Sequence, residues 1–175
     1  RTSWGVNGSD RIGDLGYSAQ VVPTFSYALG ADQALNRGAA PPTLPNPNLK
    51  WEESVQLDIG LEMKFFDDRL SAEIDYYQKT TKDLLGNEIV PGYLGVTDQP
   101  LSNLGEIKNT GIEAMVSYRQ SIGALDFSAT LNYTTFKNEV ISVPGSSEFI
   151  QGWNWPVRNT PITRMTENKP VGHFV

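Results

Sequence analysis

Ser54-Val55-Gln56-Leu57-Asp58-Ile59-Gly60-Leu61-Glu62-Met63-Lys64-Phe65 decides the fold. Apolar and polar residues alternate here without a break, with Val55, Leu57, Ile59, Leu61, Met63 and Phe65 set against Ser54, Gln56, Asp58, Gly60, Glu62 and Lys64. Side chains of a strand point to opposite faces in turn, so period two describes a sheet with one wholly apolar face and one polar face.

Working outward, Phe66-Asp67-Asp68-Arg69 supplies turn residues, and alternation resumes with Leu70, Ala72, Ile74 and Tyr76 against Ser71, Glu73, Asp75 and Tyr77. The pair reads as a tight hairpin. Phe65 opposite Leu70, Met63 opposite Ala72 and Leu61 opposite Ile74 put both apolar sets on one side. A second copy follows, with Ile112, Ala114, Val116 and Tyr118 on one strand and Phe127, Ala129, Leu131 and Tyr133 on the next. With residues 120–126 as the link, Val116 is expected opposite Ala129 and Ala114 opposite Leu131. Glu113, Ser117, Arg119, Ser128, Thr130 and Asn132 then fall on the polar face.

This reading places four strands at about 51–66, 70–84, 106–120 and 126–142. Three long loops rich in Gly, Pro and Asn lie at about 7–50, 85–104 and 144–170. The first of these holds one short strand around 21–27. No stretch reads as a linker, so residues 1–175 form one partial barrel domain. Long loop alternates with short turn, which is the asymmetry of transmembrane barrels, with extracellular loops long and periplasmic turns short.

Composition narrows the alternatives. No run of apolar residues is long enough for a membrane-spanning helix, but a barrel wall shows lipid only every second residue. Twenty acidic against 14 basic residues give a net charge of −6, and no basic stripe is present, which argues against a nucleic-acid partner. Absence of cysteine removes disulfides, thiolate nucleophiles and Cys-based zinc sites.

A soluble antiparallel sheet with one buried face would alternate in the same way. The expected strands run to about 11 to 14 residues, against about 5 or 6 for soluble strands and about 9 to 11 for tilted spanning ones. Aromatic residues sit toward strand ends, Phe65, Phe66, Tyr118 and Phe127 at the turns and Tyr76, Tyr77 and Tyr133 at the far rim, where interfacial girdles belong. Four strands cannot close a spanning barrel, and an open edge in lipid leaves backbone groups unpaired, so further strands must complete it. The competing reading is a soluble or surface β-sandwich that binds carbohydrate or serves in adhesion.

Several motifs together resemble the C-terminal half of the SusC/RagA family of TonB-dependent outer-membrane transporters. They are Asn46-Pro47-Asn48-Leu49-Lys50-Trp51-Glu52, Phe65-Phe66-Asp67-Asp68-Arg69-Leu70 and Asp75-Tyr76-Tyr77, flanked by Arg1-Thr2-Ser3-Trp4-Gly5-Val6-Asn7-Gly8, Asn103-Leu104-Gly105-Glu106-Ile107 and Asn109-Thr110-Gly111-Ile112-Glu113. Glu167-Asn168-Lys169-Pro170-Val171-Gly172 is similar to a family stretch that usually reads Gly-x-Pro-Ile-Gly, with Asn168 as a departure. The resemblance implies an all-β antiparallel barrel of about 22 strands in the Gram-negative outer membrane, filled by an N-terminal plug. It further implies import of oligosaccharides or peptides with energy from the TonB complex, and a SusD-like surface lipoprotein as lid. No plug and no TonB-contacting box are found in these residues, so wall and loops are what this stretch is expected to carry.

Enzyme chemistry finds little footing. Asp58, Glu62, Glu73 and Asp75 suggest an acid pair for glycoside hydrolysis, but carboxylates are expected on a water-filled lumen face and no apolar pocket raises one of them. His173 is the only histidine, so no His-based triad or multi-histidine metal site forms within the chain. Asp67, Asp68 and Asp98 lack the spacing of a calcium loop, and no cofactor is called for. Asn7-Gly8-Ser9 and Asn132-Tyr133-Thr134 match the glycosylation sequon, a pattern that arises often by chance. The candidate substrate-binding residues are Tyr93, Trp153 and Trp155, aromatic side chains in expected loops that can stack on sugar rings or contact peptide side chains.

Overall fold

The alternation seen in the sequence becomes one sheet with unlike faces. The computed structural model describes residues 1–9, 12–13, 16–143, 149–151, 154–155 and 160–174, with backbone alone at 24, 149–151, 154–155 and 160–161. In chain order the strands are β1 (Thr2–Ser9), β2 (Val22–Leu29), β3 (Ala34–Ala40), β4 (Glu52–Phe65), β5 (Leu70–Lys82), β6 (Leu85–Asn87) and β7 (Leu101–Asn103). They continue as β8 (Glu106–Ile122), β9 (Leu125–Ser142), β10 (Phe149–Gln151), β11 (Asn154–Trp155), β12 (Thr160–Pro161), β13 (Thr163–Thr166) and β14 (His173–Phe174).

Contacts divide the chain into two units. The first, Arg1–Gly8 with Glu53–Lys82 and Gly105–Val175, holds a five-stranded sheet in the order β1-β4-β5-β8-β9. Its β4 and β5 have 14 and 13 residues, and β8 and β9 have 17 and 18. These lengths are about two to three times the ordinary soluble strand of about 5 or 6 residues. Phe65 pairs with Leu70, Met63 with Ala72 and Leu61 with Ile74, as the alternation requires.

Register turns the apolar sets into rows across four strands. Phe65, Leu70, Tyr118 and Ala129 form one row, Met63, Ala72, Val116 and Leu131 the next, then Leu61, Ile74, Ala114 and Tyr133, then Ile59, Tyr76, Ile112 and Thr135. One row further the band ends, where Leu57 is followed by Gln78, Thr110 and Lys137. From Phe65 to Ile59, the four apolar rows span about 20 Å along the strand at ~3.4 Å per residue, the larger part of the ~25 Å apolar band of a spanning barrel. This face stays open: Leu61 is 57% exposed, Leu131 71% and Tyr133 61%. Val140 is the one buried hydrophobic residue among those described, so they contain no sandwich core.

The second hairpin differs from expectation by two residues. Val116 faces Leu131 and Ala114 faces Tyr133, because the strands run on to Ile122 and Leu125 around a two-residue turn, Gly123-Ala124. Glycine at the first central position with φ 65° is what a tight hairpin of the II′ kind demands. The expected link at 120–126 is therefore mostly strand, with Ser121 Oγ donating to Asp126 Oδ1 at 2.5 Å. A shift of two leaves every side chain on its expected face. Tyr118 and Phe127 still meet, with ring centroids 6.4 Å apart. Tyr77 is a correction: it sits on the polar face opposite Asp58 and Gly111 and does not belong to an outward aromatic rim.

The first turn carries strain. Phe66, Asp67 and Asp68 have φ of 57°, 53° and 65° in succession, a region costly to residues bearing Cβ and easiest for glycine. Replacing Asp67 by glycine is expected to stabilise the hairpin by about 0.5 to 1 kcal/mol, seen as a raised urea midpoint of the intact barrel. An unchanged or lowered midpoint would show that the turn is held by something other than its backbone.

The second unit, Ser9–Glu52 with Asp83–Leu104, holds more strand than the expected loops, which included one short strand around 21–27 where β2 lies. Residues 22–40 form a hairpin, β2 on β3, with Leu29 opposite Ala34 and Ala28 opposite Leu35. Its turn closes by Gln33 N donating to Gly30 O at 3.2 Å, with Gly30 at φ 81°. Residues 85–103 contain the short ladder β6 on β7, with a 3-10 turn over Gly92–Leu94. β1 also runs to Ser9, into the stretch expected to be loop from residue 7. The expected loop at 144–170 lies in part outside the described residues; where described, β10 pairs with β13, β13 with β14 and β11 with β12.

Candidate functional site

On the polar face of the sheet, strand register gathers charge. Glu62 lies directly opposite Glu73, and Asp75 directly opposite Glu113, with Asp58 one row away. Like charges placed opposite one another destabilise a sheet, and Arg1 answers most of this. Arg1 reaches across β4 to Glu62 Oε1 at 3.0 Å and Asp75 Oδ2 at 2.7 Å, and also pairs with Glu73. Backbone bonds set it there, with Arg1 N donating to Gly60 O at 2.8 Å and Gly60 N donating back to Arg1 O at 2.9 Å.

Gly60 is what makes room. A Cβ at this position would lie 2.1 Å from Asp75 Oδ1 and 2.6 Å from Arg1 Nε, so only glycine lets the guanidinium and carboxylate meet over the strand. Asp58 accepts from Ser3 Oγ at 3.2 Å and from Gln56 Nε2. Among the described residues Glu113 takes part in no ion pair.

Gly111 does a similar thing one row away. A Cβ there would fall 2.6 Å from the ring carbons of Tyr77, so the ring rests on the glycine of the neighbouring strand. Beyond Gly111 in the same row is Phe136, 69% exposed although it stands among polar-face residues. Gly111→Val is expected to destabilise the barrel by about 1 to 3 kcal/mol by forcing the ring aside. Urea unfolding reads this, and a cost near zero would mean that Tyr77 swings clear freely.

Two of the shallow depressions on the face lie over the acidic rows. One, of about 330 Å³, is lined by Arg1, Ser3, Asp58, Asp75, Tyr77 and Glu113 among others. The other, of about 350 Å³, shares Arg1, Asp75 and Glu113 and adds Glu73, Met115 and Asn132. Both are open, with no enclosed apolar pocket of the kind that sets a carboxyl pair to acid and base duty. Glu62 and Glu73 share one guanidinium, the arrangement of a charge cluster and not of a hydrolytic pair. Among the described residues no three His, Cys, Asp or Glu side chains are grouped to hold a metal ion.

The loop aromatics are placed unevenly. Tyr93 sits in the 3-10 turn of the second unit, 86% exposed. Trp155 lies in β11 of the first unit, its backbone opposite Thr160, and Trp153 is outside the described residues. The loop bearing Tyr93 is tied at its base by Asn103. Its Nδ2 donates to Lys50 O and Asp83 O, each at 2.9 Å, and its Oδ1 accepts from Lys50 N at 3.0 Å. Sequence reasoning missed Phe136, although the signal was present: it is the apolar interruption in the even-numbered series Asn132, Thr134, Phe136, Asn138.

Comparison with known proteins gives a consistent result. Residues 9–164 match the family model described as TonB dependent receptor-like, beta-barrel. The chain is 36% identical to TonB-dependent receptor P3 of Formosa agariphila over 99% of its own length and 17% of that protein's. It is 29% identical to TonB-dependent receptor SusC of Bacteroides thetaiotaomicron, over 85% of this chain and 15% of that protein. Among solved structures it is similar to the RagAB peptide importer in the closed-closed state, with a TM-score of 0.75 and 26% identity over 99% of this chain and 18% of that one. The open-open state gives 0.74. The chain thus spans less than a fifth of the length of these relatives.

Proposed function

The chain belongs to the TonB-dependent receptor-like β-barrel family of outer-membrane transporters, and on that premise we propose that its parent protein imports oligosaccharides or peptides. The observation that supports this most is the five-stranded sheet itself, with an apolar face left open across four rows and a charged face behind it. Lipid outside and a water-filled lumen inside are the surroundings in which both faces are satisfied.

In this reading residues 1–175 supply wall and outer loops, and a plug elsewhere in the parent chain closes the lumen. A SusD-like surface lipoprotein covers the mouth and the TonB complex delivers the energy. Support comes from the similarity to a receptor named SusC and to a solved RagAB importer. Tyr93, Trp153 and Trp155 are proposed to meet cargo from the loops. No step calls for covalent chemistry or a cofactor.

Fractionation of the native full-length protein tests the reading. It is expected to stay with the outer membrane through a high-salt wash and to leave only in detergent, and uptake of cargo is expected to stop in cells lacking TonB. Release into the aqueous fraction would end the transporter reading.

A further inference from the structure

The polar face changes sign along the strands. Asp58, Glu62, Glu73, Asp75 and Glu113 stand toward the long loops, whereas the last rows before the short turn carry Lys64, Arg69 and Arg119. Lys64 shares a row with Ser71, Ser117 and Thr130. In the next row Arg119 pairs with Ser128 on one side, and on the other its N donates to Arg69 O at 2.7 Å. Two residues bearing guanidinium groups therefore stand side by side across the seam of β5 and β8.

Like charges placed opposite one another destabilise a sheet. Among the carboxylates Arg1 offsets this, but among the described residues neither Arg69 nor Arg119 takes part in an ion pair. Lys64 Nζ reaches Asp68 Oδ1 at 3.5 Å, a pair exposed on both sides, and Asp126 accepts from Ser121 Oγ at 2.5 Å. In water the guanidinium groups keep their hydration and their surplus charge costs little. Under a protein layer they lose it, and a desolvated cation without an acceptor is strongly destabilising. This face is the lumen side of the wall in the reading above, and that reading fills the lumen with a plug. The part of the plug that rests here must therefore bring acceptors, and the planar fork of arginine favours carboxylates. A neutral plug surface would strip water from both groups without replacing it, and a basic one would add to the repulsion.

We propose that the turn end of this wall, at Lys64, Arg69 and Arg119, seats an acidic segment of the parent protein's plug, an inference that rests on the import reading above. Arg69 and Arg119 take its carboxylates by paired hydrogen bonds, and Lys64, shared with Asp68, adds a point charge beside them. The three cations line one depression together with Asp68, Ser71 and Ser117. Its volume of about 210 Å³ falls below the roughly 300 to 1,000 Å³ of small-molecule sites, which favours docked side chains over cargo as its occupant.

The test uses the full-length protein in detergent, carrying Arg69→Lys and Arg119→Lys together. The charge stays, and a zero-length carbodiimide can join each introduced amine to a carboxylate that touches it. Lys64 and Asp68, 3.5 Å apart, report that the reagent reaches this end. Mass spectrometry is expected to find the introduced amines joined to aspartate or glutamate of the plug. Arg69→Glu with Arg119→Glu is expected to raise leakage of a small neutral solute through the reconstituted barrel about three- to tenfold, because like charges then meet at the seat. Links confined to Asp68, Asp126 or other carboxylates of the wall, or none beyond the Lys64 control, would overturn the seat and show that this end stands in water. Unchanged leakage through an intact barrel, judged by heat-dependent gel mobility, would overturn it too; if the reversed variant forms no barrel, the lysine variant alone decides. Uptake by the unaltered protein in cells with and without TonB is measured alongside. Uptake without the links overturns the seat alone, and absence of TonB-dependent uptake ends the import reading independently of it.

Discussion

Ile74→Arg is expected to destabilise the full-length barrel by about 2 to 4 kcal/mol, the cost of a cation near the middle of a lipid-facing band. Ile74 stands in the row Leu61, Ile74, Ala114, Tyr133, away from both ends of the band, on a strand flanked on both sides. Its 45% exposure means no protein layer shields the new charge. Thr130→Arg, on the opposite face and away from the acidic rows, gives up the 3.0 Å hydrogen bond to Ser117 Oγ and is expected to cost about 1 kcal/mol or less. Reversible unfolding in lipid vesicles measures both. Equal effects on the two faces would remove lipid as the surroundings of the apolar rows.

Asn103→Ala is the second large effect, and it acts on the other unit. Three hydrogen bonds from one side chain tie Asn103, at the end of β7, to Lys50 and Asp83, and Leu85 N adds a bond to Glu52 Oε2 at 3.2 Å nearby. At about 1 kcal/mol net for each bond, reduced because water reaches part of the cluster, the loss is about 2 kcal/mol. The expected readout is local: faster amide exchange at Lys50 and quicker proteolysis between residues 83 and 104, with global unfolding little changed. Asn103→Asp is expected to do no better than alanine, since it keeps an acceptor but aims a carboxylate at two carbonyl oxygens. Unchanged protection at Lys50 would show that the loop base is held elsewhere.

What was legible in the sequence was the assignment of residues to faces, because lipid and water impose a strict period of two. Leu57 through Phe65 and Leu70 through Tyr76 needed no further information. Register in the second hairpin was less legible: apolar alternation fixes it only to the nearest two residues, and the remaining choice rested on recognising Gly123-Ala124 as the whole turn. The hairpin at residues 22–40 was obscured by Pro23, Gly30 and Gly38, which read as loop punctuation although Gly30 is the turn and Gly38 lies under the Tyr27 ring, 2.9 Å from where its Cβ would be. Arg1 gathering Glu62, Glu73 and Asp75 depends on pairings between strands far apart in sequence, which one chain read alone does not reveal. Tyr93, Trp153 and Trp155 were singled out by residue type and loop position, and such signals say nothing about where a ring points.

The stretch around Pro170 has a role that its composition conceals. Asn168 N donates to Val140 O and Val140 N to Lys169 O, each at 2.9 Å, while Val171 N donates to Asn138 Oδ1 at 2.8 Å. The outer edge of β9 is therefore already occupied at Val140, and any strand zipping onto that edge from the turn side runs into a stop. Among the described residues, 125–137 of β9 keep this edge free, and any seam closed along it is capped at Val140 by a folded-back peptide clip.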